Sequence, residues 1–422
     1  MNAKTPSKLT DIATLTLLIA TLILPESNNT FAIYAIGLIF LVVIRFTFDP
    51  INPYFYLAPA SLYLAGNLIY LFIINGSQHS IFFSCAYLGI LTFSLASNVR
   101  PNRQEPPKIT TKSKPLVSLF LISISISTAI YVAARLKITP QVAMAAHLAM
   151  SPVLTAVIFG SLIAISSKKL ILALGLSTIY LAQITLNNIF AEDSSRLSIL
   201  DYTILIFLIA YFRRRKKAPL RKNELKAINS SLGLALIASF AAIASTSNLE
   251  SLGGDALIAL NAVAAISAAK GHHEYLMPFF NGGLILIPEI IWPFTKPIAY
   301  NSSSWYIENV LNMPANDYPW GVGITLFAAS YLYGGLPGVA LMFGGIGLFV
   351  RHLLRLSTNI FWIGFTCYFL MRLPLAFYRM DETFILGSAA PMLLTMAAFI
   401  RIYKRKIDNC FLATENPRIT RN

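Results

Sequence analysis

The sequence predicts an all-α integral membrane protein with about twelve transmembrane helices and a large late loop that contains interfacial or re-entrant helices. Of its 422 residues, 56% are hydrophobic and only 12% are charged, whereas soluble chains carry about 25% charged residues. The mean hydropathy is +0.65. The hydrophobic residues fall in long runs separated by short basic segments, which is the pattern of a polytopic membrane protein.

Twelve apolar runs approach the length of about 20 residues that a membrane-spanning helix needs. They define three regions: residues 1–247 with spans one to nine, an external loop of residues 248–330, and residues 331–422 with spans ten to twelve and a basic tail. The predicted spans are Leu9–Leu24, Phe31–Phe48, Tyr54–Ile74, Ile81–Ser97, Leu116–Ala134, His147–Ser166, Leu170–Phe190, Leu197–Phe212, Asn229–Ser247, Tyr331–Val350, Asn359–Ala376 and Phe384–Ile400.

The distribution of basic residues predicts the orientation of these spans. With both termini in the cytoplasm, the cytoplasmic segments contain 25 of the 33 lysines and arginines, whereas the external segments contain 6. Such a bias is typical of cytoplasmic loops. The net charge of +15 therefore indicates membrane topology, and no nucleic-acid partner is expected.

The external segment of residues 248–330 is far longer than an ordinary connection, and loops of that length usually carry function. Within it, Asp255–Lys270 opens with an acidic residue and closes at Gly271. This pattern predicts a capped helix that lies on or against the membrane. The stretch Pro278–Ile291 is too short to span a bilayer and contains Pro288, which favours a re-entrant or interfacial segment.

The densest cluster of titratable groups is Lys270–Glu274, with the sequence KGHHE. Histidine titrates near neutral pH and a carboxylate can accept a proton, so His272, Glu274 and the nearby Glu289 are candidate general bases. A metal site is disfavoured because adjacent histidines point in different directions on a helix. We therefore predict no metal and no cofactor, and a solvated interfacial loop is the alternative.

Two further groups carry positive charge on the external side. In Ile291–Pro297 (IWPFTKP), two prolines stiffen the chain beside Trp292 and would hold Lys296 at headgroup depth, where it can meet a phosphate. An aromatic-belt anchor is the alternative. Arg372 and Arg379 close span eleven, and an arginine within an apolar run is expensive enough to indicate function, unless it only reaches out to the headgroups.

The run from Gly321 to Gly345, GVGITLFAASYLYGGLPGVALMFGG, is dense in glycine. Glycines let one backbone approach another closely. Helix packing alone is one interpretation of this run, and a functional motif is the other.

These segments resemble the Wzy-type polymerases of oligosaccharide repeat units, which include O-antigen polymerases. That family combines many spans and a large periplasmic loop with a segment resembling LIPRxxWPxKP. A later segment resembles GxGxxxxxExYxNFGxxG. Here the first corresponds to Leu286–Pro297 and the second runs from Gly321 to Gly338. Trp292, Gly335 and Gly338 match these patterns, as does Tyr331, and Lys296 matches with a shifted spacing.

Three departures from the family pattern matter for its chemistry. Glu289 stands where the family has a basic residue, and Ala329 stands where it has an acidic one. One extra residue separates Pro293 from Lys296.

The resemblance implies a multi-pass enzyme of the bacterial inner membrane whose substrate is an oligosaccharide linked to undecaprenyl diphosphate. The growing glycan would be transferred to the non-reducing end of a new repeat unit at the periplasmic face. Glu274, His272 or Glu289 would be the catalytic base. Lys296, Trp292, Arg372, Arg379 and Tyr331 would bind the substrate.

Other members of the same pathway are the expected partners: a regulator of chain length and the flippase that delivers repeat units. Two alternatives stay open on sequence grounds. An O-antigen ligase uses the same lipid carrier and also has a large late periplasmic loop. A flippase or other transporter of lipid-linked sugars should place charges deep in several spans, and the first nine spans here contain almost none beyond Arg45.

Overall fold

The structure, a computed structural model, is helical wherever it describes regular structure. It describes residues 5–24, 80–97, 113–135, 140–167, 169–190, 221–245, 250–269, 302–314, 323–356 and 360–379, with shorter helical stretches within 30–41 and 202–209. The helices are α1 (Thr5–Ile23), α2 (Ser80–Ser97), α3 (Ser113–Arg135), α4 (Pro140–Ser166), α5 (Leu170–Phe190), α6 (Lys222–Ser245), α7 (Glu250–Ala269), α8 (Ser302–Asn309), α9 (Leu326–Leu356) and α10 (Ile360–Arg379).

Most of these helices coincide with predicted spans, and the differences lie at their first and last turns. Helix α5 has the predicted bounds, whereas α4 and α6 begin earlier than the apolar runs, at Pro140 and Lys222. In α6 one half of a capping box explains the extension: a carboxylate oxygen of Glu224 accepts a hydrogen bond from the Arg221 backbone N–H at 2.9 Å. A polar first turn of this kind is invisible to a count of apolar residues.

The helix predicted for Asp255–Lys270 is α7, which begins at Glu250. The predicted start was later because Gly253 and Gly254 suggested a helix boundary, yet both glycines lie within the helix. Predicted spans three and twelve and the re-entrant segment Pro278–Ile291 lie outside the described residues.

The chain divides into two compact units. The first comprises Met1–Arg100, Asn248–His352 and Arg372–Ala389, and the second comprises Pro101–Ser247, Leu353–Met371 and Ala390–Asn422.

In the first unit, α1 and α2 pack antiparallel through two polar contacts. The Ser84 hydroxyl donates to the Thr21 hydroxyl at 2.9 Å, and the Ser94 hydroxyl donates to a carboxylate oxygen of Asp11 at 2.9 Å. Because a late residue of α1 meets an early residue of α2, and the reverse, the two helices run in opposite directions.

The last part of α9 runs parallel to α2. A Cβ on Gly89 would lie 3.2 Å from the Phe343 ring, and a Cβ on Gly347 would lie 2.8 Å from the Ala96 Cβ and the Phe93 carbonyl oxygen. Later residues of α9 thus meet later residues of α2. The beginning of α1 and the ends of α2 and α9 therefore share one end of this unit.

Four phenylalanine rings form the core of the first unit. Phe327 and Phe343 of α9 stack with ring centroids 4.6 Å apart, Phe343 stacks on Phe377 of α10 at 5.1 Å, and Phe93 of α2 meets Phe377 edge-on at 5.6 Å. Aromatic pairs of these geometries are worth about 0.5–1.5 kcal/mol each beyond their buried area.

The second unit uses small residues and buried hydroxyls. Gly364 of α10 lies directly against the Ala156 carbonyl of α4, where any Cβ would collide. The Gln183 amide of α5 donates to the Thr128 hydroxyl of α3 at 2.8 Å. Close backbone approach at glycine and interhelical hydrogen bonds are common where helices pack in an apolar surrounding.

Two features of the described helices suit an apolar environment. Large aliphatic side chains face outward, among them Leu341 at 74% and Leu348 at 56% exposure. Exposed apolar surface of this extent is typical of contact with a membrane or with another protein. Hydroxyl groups within the helices donate to carbonyls of the preceding turn, as Thr14 does to Thr10 at 2.7 Å, so they need no water.

By length and composition, two described helical segments could cross a membrane, Lys114–Ala133 and Leu326–Leu354. The second of them is interrupted at Gly334 and Gly335. Shorter apolar helical segments are Thr10–Ile23, Ile81–Ser97, Val153–Ser166, Leu170–Thr185, Leu260–Ala269 and Trp362–Met371. The helical fold class is therefore found in the described part of the chain, and the total of twelve spans stays a prediction.

Helix packing at Gly347 gives a first test. Gly347→Ala should destabilise the protein by about 1–3 kcal/mol, because the new methyl group collides with the α2 backbone. Gly344→Ala is the matched control: nothing lies within 4 Å of its Cβ position, and alanine gains about 0.5–1 kcal/mol in a helix. Thermal unfolding of the detergent-solubilised variants measures both, and shifts of the same sign would contradict this packing.

Candidate functional site

Helix α9 is interrupted at a pair of glycines in the middle of the glycine-dense run. Gly334 has φ −172° and ψ 28°, and Gly335 has φ 61° and ψ −150°. The conformation of Gly335 is one that essentially only glycine adopts. The interruption divides α9 into α9a (residues 326–333) and α9b (residues 336–356), and Pro337 follows at the start of α9b, where a missing backbone N–H is tolerated.

The interruption reverses the chain, because residues of α9a touch residues far along α9b. In an unbroken helix the Cα atoms of Phe327 and Phe343 would be about 24 Å apart, which two phenylalanine side chains cannot bridge, yet their rings stack at 4.6 Å. A Cβ on Gly338 would lie 2.5 Å from the Ser330 carbonyl oxygen. Both pairs are centred on Gly334 and Gly335, so α9a and α9b form an antiparallel helical hairpin.

The hairpin changes the interpretation of span ten. The sequence predicted one continuous span over Tyr331–Val350, but its first residues belong to α9a and precede the reversal. The following helix α9b extends for about 31 Å, which matches the apolar thickness of a bilayer by itself. The apolar run hid the reversal because glycines within apolar spans also occur in straight helices.

Helix α9a is enclosed on all sides, since every residue from Leu326 to Tyr333 is buried. Its first turn is capped by Thr325, whose hydroxyl accepts a hydrogen bond from the Ala328 N–H at 3.2 Å. The Ser330 hydroxyl donates to the Leu326 carbonyl at 2.6 Å. The buried hydroxyls of Thr325 and Ser330 are thus satisfied by hydrogen bonds to the backbone of this helix.

A hydrogen-bonded chain ties three segments together at the beginning of α9a. The Tyr306 hydroxyl of α8 donates to the Asn261 amide oxygen of α7 at 3.0 Å, and the Asn261 amide nitrogen donates to the Gly323 carbonyl at 3.3 Å. One asparagine therefore connects α7, α8 and the segment that leads into the hairpin. Helix α8 ends in a turn at Asn312, whose φ of 54° is one that asparagine adopts more readily than most residues.

Tyr331 is the predicted substrate-binding residue whose side chain the structure describes. It lies in α9a, one turn before the reversal, and is 9% exposed. Tyr331 therefore belongs to the interior of the hairpin, which is a different setting from the beginning of a span.

The other predicted site residues are placed only in part. Arg372 and Arg379 belong to α10, which continues to Arg379 and so extends beyond the predicted end of span eleven; their side chains lie outside the described residues. The candidate bases and the remaining substrate-binding residues also lie outside the described residues: His272, Glu274, Glu289, Trp292 and Lys296. Their roles stay predictions.

Sequence reasoning missed the polar chain of Asn261, Tyr306 and Gly323. Asn261 is the single amide in the apolar helix α7, and a lone polar residue of that kind was the available signal. Its partners could not be found from spacing, because they lie 45 and 62 residues away along the chain.

Comparisons with family models, with curated proteins and with solved structures give no match to this chain. The polymerase resemblance noted from the sequence is therefore a prediction without support from a relative. The geometry of the hairpin and of its polar contacts is the observation on which a functional proposal can be built.

The hairpin turn gives a second test. Gly335→Ala should destabilise the protein by about 1–3 kcal/mol, since a Cβ strains the backbone at that φ and ψ. Gly334→Ala is the control, because its φ is extended and nothing lies within 4 Å of its Cβ position. Chemical unfolding in detergent measures the two, and an equal effect of both substitutions would contradict the assigned conformation.

Proposed function

We propose that this chain is a polytopic protein of the bacterial inner membrane that polymerises oligosaccharide repeat units linked to undecaprenyl diphosphate. The acceptor hydroxyl of a new repeat unit attacks the anomeric carbon of the growing glycan. The bond between that carbon and the diphosphate oxygen breaks, the acceptor proton goes to a base, and undecaprenyl diphosphate leaves as an anion.

The arrangement of the first unit supports a membrane location. The beginning of α1 and the ends of α2 and α9b lie at one end of that unit, and the sequence at or next to these termini carries Lys4, Lys8, Arg100 and Arg351. Basic residues that collect at one end of parallel and antiparallel helices are expected if that end faces the cytoplasm. The outward-facing leucines then contact lipid.

The observation that carries the polymerase proposal is the stereochemistry of two glycines in the second motif. Gly335 has a backbone conformation reserved for glycine, and Gly338 lies so close to the Ser330 carbonyl that a side chain would collide. Both are positions at which the sequence matches the polymerase pattern. The match therefore falls where the fold requires glycine, rather than at arbitrary positions in a glycine-rich run.

A discontinuous helix beside a polar cluster also suits a protein that binds a lipid-linked sugar. Interrupted helices at membrane depth occur where the backbone lines a substrate site. Tyr331 precedes the interruption, and Trp292 is assigned to the same substrate site from the first motif.

The proposed chemistry needs a base and a cationic environment for the leaving diphosphate. His272, Glu274 or Glu289 accepts the proton of the acceptor hydroxyl. Glu289 stands where the family has a basic residue, so the positive charge at the diphosphate comes from other residues, which we assign as Lys296, Arg372 and Arg379.

Deletion of the gene tests this proposal, with surface polysaccharide examined on a gel and lipid-linked intermediates examined by mass spectrometry. We expect single repeat units on the lipid and loss of the ladder of longer chains. Complementation with the wild-type gene should restore the ladder, whereas the double variant Lys296→Ala/Arg372→Ala should restore less than about a tenth of it, the loss expected from removing charge-assisted hydrogen bonds to the leaving group.

Other outcomes identify other functions. Full-length polymer that accumulates on undecaprenyl diphosphate would indicate a ligase, and unflipped single units on the cytoplasmic side would indicate a flippase. An unchanged profile, or full restoration by the double variant at equal protein level, would contradict the proposed roles.

A further inference from the structure

Ser303 of α8 presents a buried hydroxyl that no described residue satisfies. The residue is 7% exposed, and its Oγ has no hydrogen-bond partner among the described residues. Buried polar groups are usually paired, and an unpaired hydroxyl costs about 1–3 kcal/mol. A hydroxyl in this state can be satisfied by a partner that is bound from outside the chain, provided that other polar groups lie beside it.

Ser303 lies in the same helix as Tyr306, which belongs to the hydrogen-bonded chain at the beginning of the hairpin. Ser303 lies one helical turn before Tyr306 and therefore on the same face of α8, and the Tyr306 hydroxyl contacts the Asn261 amide. Asn261 uses one of its two amide protons for Gly323, which leaves one donor and one acceptor position. Ser303, Asn261 and Tyr306 together form an uncharged group of hydroxyls and one amide.

This group has both an enclosed and an accessible side. Ser303 and Tyr306 are buried, whereas Asn261 and Gly323 are half-buried. A ligand can therefore approach the spare positions of the amide from the Asn261–Gly323 edge. The Ser303 hydroxyl behind that edge is enclosed by protein atoms, so a ligand that contacts it has to displace neighbouring side chains.

The hairpin also sets the depth of this group. Residues 327 and 343 form one pair of the hairpin and residues 330 and 338 form another. Gly323 lies in the non-helical segment that precedes α9a, and α9a itself is about 12 Å long. If α9b spans the bilayer, as the proposed function requires, the group lies within the apolar layer, at the end of α9a that is far from the reversal, and polar side chains in such a layer mark functional sites.

We infer that Ser303, Asn261 and Tyr306 form a binding subsite for a sugar residue of the lipid-linked substrate. Sugar hydroxyls donate and accept hydrogen bonds at once, which is what a serine hydroxyl and a half-used amide require. The absence of a charged side chain from this group fits a neutral sugar better than a diphosphate. The subsite rests on the proposed function for the identity of the substrate, and its sugar-binding chemistry can be tested without it.

Substitution of Ser303 distinguishes binding from structure. If Ser303 is purely structural, Ser303→Ala should leave the free energy of unfolding unchanged or raise it slightly, because the substitution removes an unsatisfied hydroxyl. A binding residue would lose affinity at unchanged stability. Ser161 of α4 is a matched control, because it too is a buried serine whose Oγ has no partner among the described residues, and it belongs to the second unit.

The probes are octyl glucoside and octyl galactoside, added to the purified protein in nanodiscs, with thermal unfolding as the readout. A ligand that binds the folded protein raises its unfolding temperature. We expect the unfolding temperatures of wild type and Ser161→Ala to rise at the same glycoside concentration. Ser303→Ala should need about tenfold more glycoside for the same rise, as expected for a lost hydrogen bond. Octyl tetraoxyethylene ether, which has the same chain but no sugar, should give no such difference.

Equal responses of Ser303→Ala and Ser161→Ala to both glycosides would overturn the subsite, as would an equal response of wild type to the sugar-free ether. Such a result would leave the polymerase proposal intact if gene deletion removes the ladder. Conversely, an unchanged ladder together with the Ser303-dependent glycoside response would retain a sugar site and remove the polymerase.

Discussion

The reversal of α9 at Gly334 and Gly335 is the constraint on which the rest of the first unit depends. A continuous helix would hold Phe327 about 24 Å from Phe343, and the aromatic core with Phe93 and Phe377 would not form. The left-handed φ of Gly335 permits the turn. The missing side chain at Gly338 permits the two halves to approach.

The hairpin also determines where polar groups meet. Because α9a runs back along α9b, the segment at Gly323 lies at the end of α9a that is far from the reversal. Asn261 of α7 and Tyr306 of α8 join it there through hydrogen bonds of 3.3 and 3.0 Å. Described parts of residues 248–330, expected as an external loop, therefore join the segment that leads into the hairpin.

Much of the helical pattern could be predicted from apolar runs, because burial and lipid contact both select the same residues over about 20 positions. The bounds of α5 and nearly those of α2 followed directly. The first turns of α4 and α6 did not, since Pro140 and the Glu224 capping box are signals of helix termini rather than of hydrophobicity. The hairpin was missed although Gly335 and Gly338 were singled out, because a reversal depends on which residues meet across the turn.

The residues of the candidate site also differ in how far the sequence could predict them. Residues such as Tyr331 could be identified from a motif, whereas Asn261 and Ser303 owe their interest to partners, or to missing partners, in three dimensions. The sequence marks Asn261 only as the single amide of an apolar helix, and it does not indicate which residues Asn261 or Ser303 meets in the fold.

Cross-linking across the hairpin tests this account most directly. Cysteines would replace Phe327 and Phe343 in a chain whose three native cysteines are changed to alanine, and a short bismaleimide would be applied to the membrane-embedded protein. The hairpin predicts efficient linkage between the two peptides, detected by mass spectrometry after proteolysis. Failure to link them, with both cysteines reactive towards a single maleimide, would indicate the separation of about 24 Å that an unbroken helix imposes and would contradict the reversal.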